Sequence, residues 1–118
     1  MPYIDGFVAP VPAGKRDAYI ELAAKSAPVF QEHGALQVVE TFGTDVPHGK
    51  QTDFYRAVAA DEGDTIVFSW IVWPDKATRD AGWEKVMADP SMAPGEDMPF
   101  DPKRMIYGEF EVVLDTGA

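Results

Sequence analysis

The stretch TIVFSWIVW at residues 65–73 is apolar on both of its alternating sets of positions, with Ile66, Phe68, Trp70 and Val72 on one and Val67, Ile71 and Trp73 on the other. Successive side chains of a strand point to opposite faces, so a strand of this kind must be covered on both sides and belongs in the middle of a sheet. Pro74 ends it. The run is far short of the roughly 20 apolar residues that span a bilayer, and no other run in the chain approaches that length, so no membrane segment is expected.

The rest of the chain supplies partners for that strand. Residues 3–11 hold Tyr3, Ile4, Phe7 and Val8 and close on Pro10-Val11-Pro12, a pattern that predicts a strand. From residue 15 to 33, Tyr19, Ala23, Ala27 and Phe30 recur at spacings of three or four and Gly34 follows, which predicts an amphipathic helix with a glycine stop. Pro28 removes one amide donor inside it, so a kink or a restarted last turn is expected. Residues 36–43 predict a second strand, followed by a long polar loop. Asp75 is positioned to cap a helix over 75–88. The proline-rich acidic stretch 91–102 reads as an extended loop, with room for a short helix between residues 91 and 95. Residues 105–114 read as a last strand.

The order is βαββαβ, which predicts one α+β domain over residues 1–118 with the ferredoxin-like plan: an antiparallel sheet of order 4-1-3-2 with two helices on one face. Helices on one face leave the second apolar parity of the central strand, tryptophan included, as a large exposed patch. A homodimer formed through that sheet face is the expected remedy.

Composition narrows the function. Ten Lys and Arg against twenty Asp and Glu give a net charge of -10, so a polyanion meets a repelling surface and nucleic acid is not an expected partner. An RNA-recognition module shares the element order, but VFSWIVW carries no Lys or Arg. The absence of cysteine removes disulfides, thiolate nucleophiles and iron-sulfur clusters. No GxSxG, GxxxxGK[ST] or GxGxxG occurs, and no tightly held cofactor is expected. His33 and His48 stand alone without metal-ligand spacing, so no metal centre is expected. The first residues lack a basic region followed by a long apolar run, which makes a cytoplasmic address the expectation.

Four strings, YIDGFVAPVP at 3–12, EHGAL at 32–36, VFSWIVW at 67–73 and above all MPFDPKRMIYGEF at 98–110, together resemble the YbaA-like bacterial family of unknown function. The resemblance runs over nearly the whole chain. It implies a subunit of the dimeric α/β-barrel type, a superfamily that holds cofactor-free monooxygenases, lyases, haem enzymes and proteins without known activity. Function does not travel with such a fold, and the resemblance carries over no catalytic residue.

The residues themselves offer candidates. Asp5, Glu40 and Glu109 are carboxylates in otherwise apolar strands, where desolvation raises a carboxyl pKa and suits it to acid–base work; the plainer alternative is a solvent-facing side chain or one neutralised by Lys103 or Arg104. Asp5 stands out because its strand is expected to be central. Arg104 suits a bidentate carboxylate clamp, or else pins its own loop through Asp101, Glu96 or a partner subunit. Trp70, Trp73 and Trp83 could line a cavity for an aromatic substrate, but large aromatics in a strand and a following helix are first of all core and interface material. His33 suits the negative end of the first helix. Gly6 and Gly108 mark bulges or close backbone approach. The leading expectation is a dimeric barrel that binds a small apolar or aromatic molecule, with Trp70, Trp73 and Arg104 as binding residues. The rivals are a cofactor-independent oxygenase or isomerase with Asp5 as base and Arg104 or Tyr107 steadying an enolate, and a dimer that only binds other proteins.

Overall fold

In the computed structural model, which describes residues 2–92 and 98–117, the doubly apolar segment forms β3 (Asp64–Trp73) inside a four-stranded antiparallel sheet. β2 (Gln37–Phe42) flanks it on one side and β1 (Tyr3–Pro12) on the other, and β4 (Ile106–Glu111) lies beyond β1. Read from the β4 edge the order is 4-1-3-2, as the ferredoxin-like plan requires. α1 (Arg16–Glu32) and α3 (Lys76–Ala88) pack on one face, where Phe30 of α1 and Val86 of α3 join Ile71 and Trp73 in a single core cluster. A short α2 (Phe54–Ala57) stands inside the segment read from sequence as loop. Asp53 caps it by accepting the Arg56 amide at 2.8 Å. Among the described residues no helix is long and apolar enough to cross a membrane.

The two parities of β3 separate cleanly. Val67, Ser69, Ile71 and Trp73 are buried beneath the helices, whereas Phe68 is exposed and Trp70 and Val72 are half-buried on the open face. Ile66 shares the open parity yet is buried, because the Gly43–Val46 turn lies against it and the Gly43 amide donates to its carbonyl at 2.7 Å. Phe54 of α2 then stacks edge-on to Phe68, with ring centroids 6.3 Å apart. This segment covers one end of the open face and leaves the rest bare.

Local rules account for the element ends. Gly34 adopts φ 114°, and the Ala35 and Gly34 amides donate to Phe30 and Gln31 carbonyls, which closes α1 as a Schellman motif. Helix α1 runs through Pro28 to Glu32 without a restarted turn. Pro28 and Ala24 are both exposed, so water meets the carbonyl that lacks its amide partner. β1 continues through Pro10 and Pro12, which were expected to end it. Its pairing with β4 stops at Val8, so one side of the strand has no ladder for those prolines to interrupt. β4 ends at Glu111, three positions short of the expected 114. Asp75 caps α3 through the Thr78 amide at 2.7 Å. The expected extra helix is met by a 3-10 turn at Pro90–Met92, and its remainder falls outside the described residues.

One carboxylate ties α3 to the sheet. Asp5 is 3% exposed. Its Oδ2 accepts the indole N–H of Trp73 at 2.8 Å and of Trp83 at 2.7 Å, and its Oδ1 accepts Arg79 Nη2 at 2.9 Å and Nε at 3.2 Å. Arg79 extends the network to Glu109 at 2.8 Å, and Glu109 takes Lys76 at 2.9 Å, which links α3 to β4. Gly82 makes the close approach possible: a Cβ there would collide with the Trp73 ring and lie 2.7 Å from the His33 carbonyl.

Breaking a buried ion pair by deleting one partner leaves an uncompensated charge and costs about 3–5 kcal/mol. Asp5→Ala, which also orphans the Trp73 indole N–H, is expected to lose stability in that range in urea unfolding. A loss below about 1 kcal/mol is the size of a surface pair and would show that the carboxylate does not anchor α3.

Candidate functional site

Helix α1 touches the sheet through two large side chains and little between them. Tyr19 and Phe30 are its buried residues, eleven positions apart on one stripe, while Ala23, Ser26 and Ala27 on the same stripe are half-buried. Opposite them the sheet presents Ala9 and Ser69, also small. Two aromatic props with short side chains between them leave an apolar cleft of about 160 Å³. Phe7, Val38 and Ile71 form its floor, Trp83 its side wall, and Met92, Phe100 and Met105 its outer rim. The aromatic walls are ordered against one another, with Phe30 edge-on to Trp83 at 5.0 Å and Tyr19 edge-on to Phe42 at 5.5 Å and to Phe100 at 5.8 Å.

The cleft has one polar end. The Tyr19 hydroxyl donates to Glu40 Oε1 at 2.7 Å, and Ser69, directly opposite Glu40 in the β2–β3 ladder, is buried beside them. Glu40 is an exposed residue whose carboxyl reaches back to the mouth of the cleft. Among the described residues no Lys, Arg or His lies within 4.0 Å of that carboxyl. Desolvation raises the Glu40 pKa above the usual carboxylate value, against the opposing pull of the Tyr19 and Ser69 hydroxyls. Burial, then the hydrogen bond to Glu40, pushes the Tyr19 phenol well above its ordinary value, so it stays protonated.

The residues singled out from sequence do not form one constellation. Asp5 is saturated by two indoles and a guanidinium, and it faces the helices instead of an inter-sheet space. Arg104 is held at the other end of β1: it reaches Asp64 at 3.1 Å, Asp101 at 3.4 Å, Asp61 at 3.5 Å and the Ala59 carbonyl at 3.1 Å. Asp64 pairs with Pro12, seven positions along β1 from Asp5 and roughly 23 Å away at strand rise. A pairing of Arg104 with Glu96 lies outside the described residues. Tyr107 of β4 pairs with Phe7 of β1 and is 74% exposed. Trp70 and Trp73, expected to bind together, project to opposite faces of β3, because two is the side-chain period and they are three apart. Trp73 is fully buried under the helices and Trp70 lies on the open face. Glu109 is spent on Arg79 and Lys76. Glu40 is the strand carboxylate that meets a cleft.

Tyr19, Ala23 and Ala27 were legible as a helix stripe but not as a cleft wall. The signal lay in the size order of the stripe, large, small, small, large. Where the two helix ends meet, Glu32, His33 and Asp89 bring one ligand atom each within 4.8 Å of the others, a donor set a divalent ion accepts. His33 Nε2 lies 3.5 Å from Asp89 Oδ2, and Asp89 Oδ1 accepts the Ser91 amide and hydroxyl at 2.9 and 2.8 Å, which ties the exits of α1 and α3 together.

A carboxyl whose folded pKa exceeds its unfolded value binds more protons in the native state, so it favours folding at low pH and that support is lost as pH rises. For Glu40 the loss begins near the unfolded value, about pH 4.3, and is complete above the raised folded value. In thermal melts from pH 4 to 8, Glu40→Gln is expected to gain stability relative to the parent across that window. A difference that stays constant with pH would show that the carboxyl is not desolvated.

Residues 2–102 match the family model described as protein of unknown function DUF1428. The uncharacterized protein YbaA of Escherichia coli strain K12 is 59% identical over 116 residues, covering 98% of this chain and 99% of that protein, and YbaA of Shigella flexneri matches to the same extent. Among solved structures, a dimeric ferredoxin-like protein from an uncultured marine organism aligns with a TM-score of 0.63 at 12% identity, over 98% of each chain. Rv0793 of Mycobacterium tuberculosis aligns with a TM-score of 0.52 at 11% identity, over 99% of this chain and all of that one. An uncharacterized NIPSNAP domain protein from Burkholderia xenovorans gives 0.51 at 12% identity, over 98% of this chain and 99% of that one. At such identities these likenesses bear on the fold alone. The family match and the identity to YbaA make this chain a member of the DUF1428 family, with a ferredoxin-like fold.

Proposed function

We propose that this protein is a homodimer that binds a small apolar or aromatic molecule in the cleft between α1 and the sheet. The observation that carries the reading is the cleft itself: an apolar space walled by Phe7, Phe30 and Trp83, with a single polar end at Tyr19, Glu40 and Ser69. Mostly apolar concave sites with a few convergent polar groups are the usual form of small-molecule sites. The cleft lies on the helix side of the sheet, because the small residues of α1 face that way.

The dimer rests on the open face. Ile4, Val8, Phe68, Trp70, Ile106 and Phe110 line a shallow groove that includes no charged residue. Its floor is hollowed by Gly6 and Gly108, which pair across β1 and β4 beneath the Phe110 ring. On a chain of net charge -10, an uncharged apolar face is where two copies meet without like-charge repulsion. A structural neighbour is itself described as dimeric.

Toluene is expected to shift the Met92 and Met105 methyl NMR signals of the parent. Ala27→Phe, which fills the space between the two aromatic props, is expected to abolish the shifts while leaving the fold intact; shifts that persist in that variant would place the site elsewhere. In sedimentation at micromolar concentration the parent is expected to run as a dimer and Trp70→Asp as a folded monomer. A parent that sediments as a stable monomer overturns the assembly.

A further inference from the structure

The cleft's dimensions and hydrogen-bonding balance say more about the molecule it takes. Its volume of about 160 Å³ is close to that of an engineered apolar protein cavity of about 150 Å³ that accepts benzene. One six-membered ring with a short substituent matches that volume. The walls suit a flat ring, since the edges and faces of Phe7, Phe30 and Trp83 meet the thioethers of Met92 and Met105, and both contact types favour aromatic guests.

The polar end is short of donors and long on acceptors. Tyr19 commits its proton to Glu40 Oε1 at 2.7 Å. Ser69 is buried beside the same pair, directly opposite Glu40 in the ladder. What remains open to a guest is lone-pair capacity, chiefly on Glu40 Oε2, because an ionised carboxylate only accepts. A guest that ends in a carboxylate meets the negative charge of Glu40 there, with the Ser69 hydroxyl as its one nearby donor among the described residues at this end. A guest that ends in a hydroxyl can donate to Glu40. An ammonium also donates, but it must leave water to enter a space whose other walls are hydrocarbon, and stripping a full charge costs more than stripping a hydroxyl.

The geometry points to a neutral single-ring phenol as the ligand class of this cleft, held by its ring between α1 and Trp83 and by its O–H on Glu40. This rests on the cleft being the binding site. Within it, Glu40 is the specificity-determining residue and Tyr19 the group that fixes its orientation.

Four probes separate the possibilities when titrated against the intact protein and followed by Met92 and Met105 methyl shifts: p-cresol, toluene, 4-methylbenzoate and benzylamine. The expected result is p-cresol bound about tenfold or more tighter than toluene, the scale of one hydrogen bond to a charged group, with 4-methylbenzoate weakest. In Glu40→Gln the preference for p-cresol over toluene is expected to collapse to within about twofold, whereas Tyr19→Phe, which leaves the carboxylate in place, keeps most of it; methyl spectra without ligand report that both variants are folded. Equal affinity for p-cresol and toluene in the parent overturns recognition by Glu40 but leaves the cleft as the binding site. Tighter binding of benzylamine overturns the neutral class in favour of a cationic one. Failure of all four probes to shift either methyl group overturns the cleft reading together with this one.

Discussion

Nearly everything in this molecule is referred to the Asp5 carboxylate. It sits on an interior strand, almost without exposure, and accepts from Trp73 on the neighbouring strand and from Trp83 and Arg79 on α3. A charge so placed is tolerated only when its lone pairs are filled, and here both oxygens are taken. The consequence is geometric. Two indoles that must each reach the same oxygen fix where α3 lies, and Trp83, so fixed, becomes the side wall of the cleft. Gly82 is the steric counterpart of that bond, since it lets the helix backbone settle onto the ring that Asp5 holds.

The cleft then follows from side-chain size rather than from any dedicated loop. Core helices normally close on a sheet until the gaps disappear, because voids forfeit dispersion contacts. On α1 the two residues that touch first are large and lie three turns apart, with alanine and serine between, so the helix rests on its ends and a space of ring size persists beneath its middle. A cavity of this kind lowers stability relative to a filled core. The Tyr19–Glu40 bond and Ser69 make one end of that space polar, and they place hydroxyls and a carboxyl where a core would have placed hydrocarbon.

Strand order, helix placement and the two apolar faces of β3 were legible because they depend on period and parity, which a single sequence carries. The Schellman stop at Gly34 and the cap at Asp75 were legible for the same reason: each is a local pattern with a local cause. The site was not. Asp5, Arg104 and Tyr107 are chemically apt residues, but which carboxylate meets which cation depends on the register of β1 against β3 and β4, and that register puts Asp5 and Asp64 at opposite ends of a ten-residue strand. Trp70 and Trp73 carry the same lesson in miniature, since parity alone separates them. Their parity was visible in the sequence, while the face that each parity takes was fixed by where Tyr19 and Phe30 dock. α2 was missed because four residues are too few to show a period, and its evidence is a single Asp cap.

Charge explains why the remaining cations are used as they are. Residues 61–118 carry thirteen acidic and five basic side chains, so a one-to-one pairing is impossible, and three of the five cations each serve several carboxylates. Lys76 meets Asp80 and Glu109, Arg79 meets Asp5, Asp80 and Glu109, and Arg104 meets Asp61, Asp64 and Asp101. Arginine suits that role, since its planar fork donates in several directions at once. With those three cations committed, the open sheet face stands out among the described residues as a groove lined by no charged side chain. On so acidic a chain, that face is where like-charge repulsion opposes an approaching surface least.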